Sequence, residues 1–231
     1  MASKSTFRRA LEDAINERHC ANHPMTEAWA QGELGRDAMM GCGIEHWHWI
    51  STLLRPSIFN ICAKAPDDVV AAMMDNFNEE EDPDNPHMEI VLRFAAANGA
   101  DVEKVKSGRG LPTTRLWANW QIQVAREQPW YAGIACSNIA SETQSPRLYS
   151  KVLPALREKY QFPEDEIEHF WLHSEVDIEH GDRAFEVLER HCTNREEQDI
   201  CIHYAREGAA LRWFYFDGIY LHYEKKYALM Q

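Results

Sequence analysis

A chain of 231 residues with 24 Lys and Arg against 37 Asp and Glu carries a formal charge of −13, with no basic stripe to meet a nucleic-acid backbone. Its 45% hydrophobic residues suffice for the core of one domain over 1–231. Every apolar run is interrupted by charge short of the ~18–20 residues that cross a bilayer, and Met1 to Arg9 lacks the apolar centre of a secretory leader.

A cytoplasmic protein with a small-molecule substrate, and neither nucleic acid nor membrane as partner, is the expectation. Six cysteines stand apart with no Cys-x-x-Cys pair, which points to packed thiols, not a zinc knuckle or a disulfide framework.

In chain order, helical periodicity recurs almost everywhere and strand alternation nowhere, so the class is all-α. Helices are expected from Phe7 to about Cys20, from His23-Pro24, and from Asp37 to Cys62 with a break or kink at Pro56. Pro66-Asp67-Asp68 opens the next, over Val69 to Glu80, with acids near the positive dipole end. Another runs from Pro86-His87 to Ala97 and stops at Asn98-Gly99. Past the loop Gly108 to Pro112, Thr113 caps a long helix to about Ser141, and a shorter one covers Arg147 to Tyr160. The last two span Pro163 to His191 and Glu196 to Lys226.

The most informative spacing is His173-x3-Asp177-x2-His180. At about 100° per residue, positions i, i+4 and i+7 lie within roughly 60° of one another, so two imidazoles and a carboxylate share one helix face. Two nitrogens and an anionic oxygen suit iron or manganese. Glu80 and His87 lie seven apart across two prolines and are expected to converge through a helix junction. Glu142 closes the apolar run Trp130 to Ala140, where a carboxylate needs a cation. Glu80, His87, Glu142, His173, Asp177 and His180 together make three carboxylates and three histidines, enough for two iron ions on facing helices.

Each reading has a plainer competitor. The triad lies among Glu164, Asp165, Glu166, Glu168, Glu175 and Glu179 and could be a solvated acidic face; Glu80 is flanked by Glu79 and Glu81. His46 and His48 point to opposite faces and are expected in the core or at the surface. Trp117 and Trp120 are expected in the core, and Cys136 as a packed thiol.

These residues resemble the heme-oxygenase-like di-iron oxidases, relatives of the Chlamydia protein associating with death domains and of pyrroloquinoline-quinone synthase. The likeness spans His23-Pro24 with Trp29 and Gly32-Glu33-Leu34, then Asn76 to Glu80 with Pro86-His87 and Leu92 to Ala95, then Glu142 and the triad. It implies a seven- to eight-helix bundle, two ferrous ions with manganese–iron as the alternative pair, and the six named side chains as ligands. It also implies dioxygen-dependent oxidation of a small, often amino-acid-derived metabolite in biosynthesis, with a homodimer as a further expectation by analogy.

Some relatives make para-aminobenzoate by consuming their own tyrosine and a lysine nitrogen. Near the tyrosine's expected place this chain has Met25-Thr26-Glu27, although Lys151 falls near that of the lysine. Thiaminase-II-like hydrolysis with Cys136 as nucleophile, and a non-enzymatic metal- or protein-binding bundle, complete the alternatives.

Overall fold

In the computed structural model residues 4–227 are described, so the first three residues of the segment read above for a leader lie outside them. Ser5 starts the first helix, its hydroxyl accepting the Arg8 N–H at 3.0 Å, and α1 (Thr6–Asn16) buries Phe7, Leu11, Ala14 and Ile15. The helix stops short of Cys20 because two histidines act as caps. His19 accepts the Ala21 N–H at 3.1 Å to begin a 3₁₀ turn, Cys20–Asn22, and His23 accepts the Met25 N–H at 3.0 Å to begin α2 (Pro24–Ala30).

Next come α3 (Arg36–Cys62), α4 (Asp67–Glu80), α5 (His87–Ala97) and a short α6 (Val102–Ser107) that was not expected. The helix α3 runs through Pro56 without breaking: Leu53, Leu54, Ser57, Ile58 and Ile61 are buried around it, and that packing offsets a proline cost of about 3 kcal/mol.

The expected helix from Thr113 to Ser141 is three pieces instead. Leu111, not Thr113, is the cap of α7 (Pro112–Glu127). Gln128 is then extended, as a residue before proline prefers, and Pro129 starts α8 (Trp130–Ile134). A π-helical turn, Ala135–Ile139, and a 3₁₀ turn, Glu142–Gln144, follow. Then come α9 (Ser145–Glu158), α10 (Glu168–His191) and α11 (Arg195–Ile219), the last opened by a capping box between Asn194 and Glu197. The helix α10 begins at Glu168 because Pro163 to Ile167 form an irregular approach, onto which the Trp171 indole N–H folds back to the Glu164 carbonyl at 3.1 Å.

Among the described residues there is no strand; eight of the helices have eleven or more residues. None is long and apolar enough to cross a membrane. The helix α3 passes through the middle, against α5 and α7. Its Trp49 stacks on Trp117 of α7 at 4.2 Å between ring centroids and donates to the Gln121 side-chain oxygen at 2.7 Å. Gly43 lets α3 approach α5 closely, since a Cβ there would lie 2.8 Å from that of Ala95. A chamber remains between α3, α4, α5, α10 and the irregular stretch around Glu142.

His19 supplies a pH dependence. Burial, with the nearby Arg147, Arg212 and Lys151 cations, lowers its pKa to about 3 from an ordinary 6.5. The unfolded ring binds a proton below about pH 6.5 and the folded ring does not until about 3, so its contribution is complete above 6.5 and is lost as pH falls. Unfolding by urea is expected to show about 2 kcal/mol of this loss between pH 7 and pH 5. His19→Asn keeps a cap acceptor and should remove that part; an unchanged acid loss in the variant would refute the assignment.

Candidate metal centre

Helix ends and one helix face bring the predicted ligands to the chamber. Glu80 is the last residue of α4 and His87 the first of α5, and the six-residue turn between them folds back on itself. His87 Nδ1 lies 3.2 Å from Glu80 Oε2, yet no aligned hydrogen bond satisfies that nitrogen. His173 Nε2 is 3.8 Å from Glu80 Oε1. One ligand atom from each of Glu80, His87 and His173 lies within 4.8 Å of the others. Side chains that converge this closely without an aligned hydrogen bond between them form a group that could hold a cation.

On α10, His173, Asp177 and His180 are all buried, so the solvated-face alternative does not hold for them. His173 Nδ1 donates to the His169 carbonyl at 2.8 Å, which turns Nε2 toward Glu80. His180 is oriented similarly: Nε2 meets Glu79 Oε2 at 2.5 Å, while Nδ1 is unpartnered and 3.6 Å from Asp177 Oδ1. Glu142 enters from the 3₁₀ turn. Asn138 and Asn76 donate to its Oε1 at 3.0 and 3.3 Å, and Oε2 is buried with no partner.

Glu80, His87, Glu142, His173 and Asp177 all line the chamber. His180 does not; it stands behind Asp177 and lines a smaller cleft with Asn76, Asn138 and Arg183. Of the six expected side chains, Glu80, His87 and His173 form the tight cluster, Glu142 and Asp177 share its chamber, and His180 stands outside that lining beside Asp177 and Glu79.

The electrostatics follow from this crowding. Burial alone would raise Glu80, but His173 and His87 outweigh it and hold the carboxyl well below the usual range. Burial alone would lower both triad imidazoles; instead Asp177 and Glu80 lift His173 to about 9, and Asp177, Glu142 and Glu79 lift His180 to about 10. For Glu142 burial prevails and its carboxyl is pushed up, with Asp177 and Glu80 adding to the effect and His180 opposing it. A field that holds protons on two buried imidazoles would equally hold divalent cations, with release of those protons on binding.

The orphaned Glu142 oxygen and the unpartnered His180 and His87 nitrogens fit such ions, and a set of carboxylates and imidazoles without thiolate suits iron or manganese.

Several site residues were not among the expected ones. His169 lies one turn before His173, so extending the triad register backward would have found it. Its Nε2 is 3.0 Å from the Tyr149 hydroxyl, and both line the chamber. His46, expected in the core or at the surface, forms chamber wall against His169, with ring centroids 4.7 Å apart. Asn76 and Asn138, which contact Glu142, and Glu79, which contacts His180, were not among the expected site residues, although Asn76 and Glu79 lie in the segment that carries the family likeness.

Cys136 is buried, its pKa is pushed up by burial, and its thiol donates to the Gly133 carbonyl at 3.3 Å; it does not line the chamber. Lys151 is tied to the Ala21 carbonyl at 2.8 Å and to Glu27.

An all-α bundle that gathers buried carboxylates and histidines at one chamber is the kind of arrangement in which helical proteins bind metal ions. A family model described as iron-containing redox enzyme matches residues 53–213, and the chain belongs to that family. It is 24% identical over 229 residues to a 4-aminobenzoate synthase of Nitrosomonas europaea, covering 95% of this chain and 93% of the relative. A 4-aminobenzoate synthase of Chlamydia muridarum is 22% identical over 205 residues, 87% of this chain and 84% of that one.

In shape it is similar to a TenA homologue of Pseudomonas syringae, with a TM-score of 0.81 and 14% identity over 93% of this chain and 92% of the other. It is also similar to a Shewanella denitrificans domain with a heme oxygenase-like fold, at 0.80 and 16% over 97% and 94%. The heme-oxygenase-like fold expected from the sequence is thus the fold observed.

Proposed function

We propose that this chain is a non-heme di-iron oxidase that uses dioxygen to oxidise a small, amino-acid-derived metabolite in a biosynthetic pathway of the cytoplasm. The observation that carries this reading is the convergence of Glu80, His87 and His173 at the chamber wall, with Glu142, Asp177 and His180 beside them. Glu80, His87 and His173 would hold one iron, and Glu142, Asp177 and His180 the other; manganese could replace one by the same donor chemistry. The chemistry such a pair supplies when bound is the electrons for reducing dioxygen.

The protein's own share is positional. The His169 carbonyl and the Glu79 carboxylate fix the faces that His173 and His180 present. Asn76 and Asn138 hold one Glu142 oxygen and leave the other for the ion. Leu53, Leu54, Met88 and Val91 keep the chamber dry around the substrate.

Anaerobic loading with ferrous iron tests this. The parent is expected to hold two irons per chain, to consume oxygen on mixing and to show a transient absorbance, whereas His173→Ala should hold fewer than one. No bound iron in either protein would overturn the reading. A second reading is formation of 4-aminobenzoate at the protein's own expense: the relatives' names support the product, and Tyr149 in the chamber wall is a side chain that could be consumed. The same experiment separates the two, because intact mass after turnover stays constant in the first and falls in the second. Hydrolysis with Cys136 has less support, since that thiol is packed away from the chamber.

A further inference from the structure

A second cavity opens off the chamber and shares five wall residues with it, including His46, Tyr149 and His169. Its own walls are mostly aromatic, with Trp29, Phe94, Phe170, Tyr215 and Phe216 among them. One full charge stands in this apolar lining: Arg212 of α11, only 2% exposed. The guanidinium has no carboxylate partner among the described residues. Its hydrogen bonds go to two neutral oxygens, the Ser141 carbonyl and, at 3.3 Å, the Ser145 hydroxyl. Its Nε is buried and bonds to nothing.

A buried guanidinium without an anion is costly, and a protein interior normally supplies the counter-charge itself. Here Glu80 and Asp177 of the neighbouring chamber are set against histidines, as their short separations show. Arg212 is the one Lys or Arg in the lining of this cavity, so it is the cation that an entering anion would meet.

We infer that Arg212 is a specificity residue: it anchors the carboxylate of a small substrate whose apolar or aromatic body fills the second cavity and whose far end reaches the Glu80–His87–His173 cluster. A planar carboxylate matches the guanidinium fork, and its single charge equals the one cation present, which a phosphate dianion would exceed. The aromatic walls suit a ring or a short hydrocarbon chain. Only the placement of the reacting end rests on the oxidase reading; the anion anchor does not.

Calorimetric titration of the iron-loaded protein with benzoate and 3-phenylpropanoate, each against its own primary amide, tests the inference. At least one acid is expected to bind at least about tenfold more tightly than its amide, the margin of a hydrogen bond to a charged group. Arg212→Gln retains amide donors for the Ser141 carbonyl but removes the charge, and it should level the pair. His173→Ala, which removes a proposed iron ligand, should leave the preference in place.

Equal binding of acid and amide, binding of neither, or a preference that survives Arg212→Gln would overturn the inference. A preference lost in His173→Ala and kept in Arg212→Gln would place the acid on the metal centre instead. An Arg212-dependent preference in a protein that holds no iron would sustain the anchor and remove the oxidase. Should Arg212→Gln not fold, a co-crystal of the parent with 4-bromobenzoate decides: a carboxylate outside hydrogen-bond reach of Arg212 refutes the proposal.

Discussion

Glu142→Gln is expected to fold at least as stably as the parent, yet to hold one iron where the parent holds two and to lose dioxygen-dependent turnover at least about 100-fold. The split follows from where the carboxylate sits. Its Oε2 is buried without a partner, and burial pushes the group toward its neutral form, with the acids Asp177 and Glu80 adding to that push against His180. An uncompensated anion of this kind is a cost to the folded chain, which the glutamine amide removes while preserving shape.

The glutamine oxygen can still accept from Asn138 and Asn76, so the 3₁₀ turn stays in place. What disappears is the anionic ligand. Urea unfolding of the metal-stripped proteins, an iron assay and an oxygen electrode supply the three readouts. Two irons with full turnover in the variant would remove Glu142 from the centre; a large stability loss would show that its carboxylate is structural.

Trp117→Ala should lower stability by about 3–5 kcal/mol and the melting temperature by roughly 10 °C. Trp117 has no exposed surface, stacks on Trp49 at 4.2 Å and lies 5.1 Å from the Tyr215 ring, so it joins α3, α7 and α11. Its indole N–H bonds to nothing, and the loss is therefore one of packing and cavity formation, with no broken hydrogen bond. Trp49 lines both cavities, and its release should also weaken ligand binding. A loss under about 1 kcal/mol would mean that the site collapses without strain and that Trp49 holds its place unaided.

The helices were legible where local chemistry sets them. Asp67 and Asp68 at the start of α4, and Asn98-Gly99 after α5, mark the ends that the structure shows. Pro56 misled, because a proline's local cost says nothing of the apolar contacts on either side of it. Thr113 misled too: threonine is a common cap, but Pro112 at the first helical position moved the start back to Leu111. The π-helical turn before Glu142 has no sequence signature, since its widened hydrogen bonding depends on packing against α11. There Gly208 brings α11 close, a Cβ at that position falling 2.5 Å from the Cβ of Ala140.

For the centre, the shared face of His173, Asp177 and His180 was a property of one helix and could be read from spacing alone. Periodicity fixes angles within a rod and is silent about what stands opposite it. That Glu79 and not a neighbouring acid holds His180, and that Arg212 ends up beside an apolar cavity, were decided when separate helices packed. The chain by itself determined the helical class, the acidic surface and the ligand types. The tertiary structure decided their meeting point, because distances between residues far apart in sequence come from side-chain packing across helices and not from local geometry.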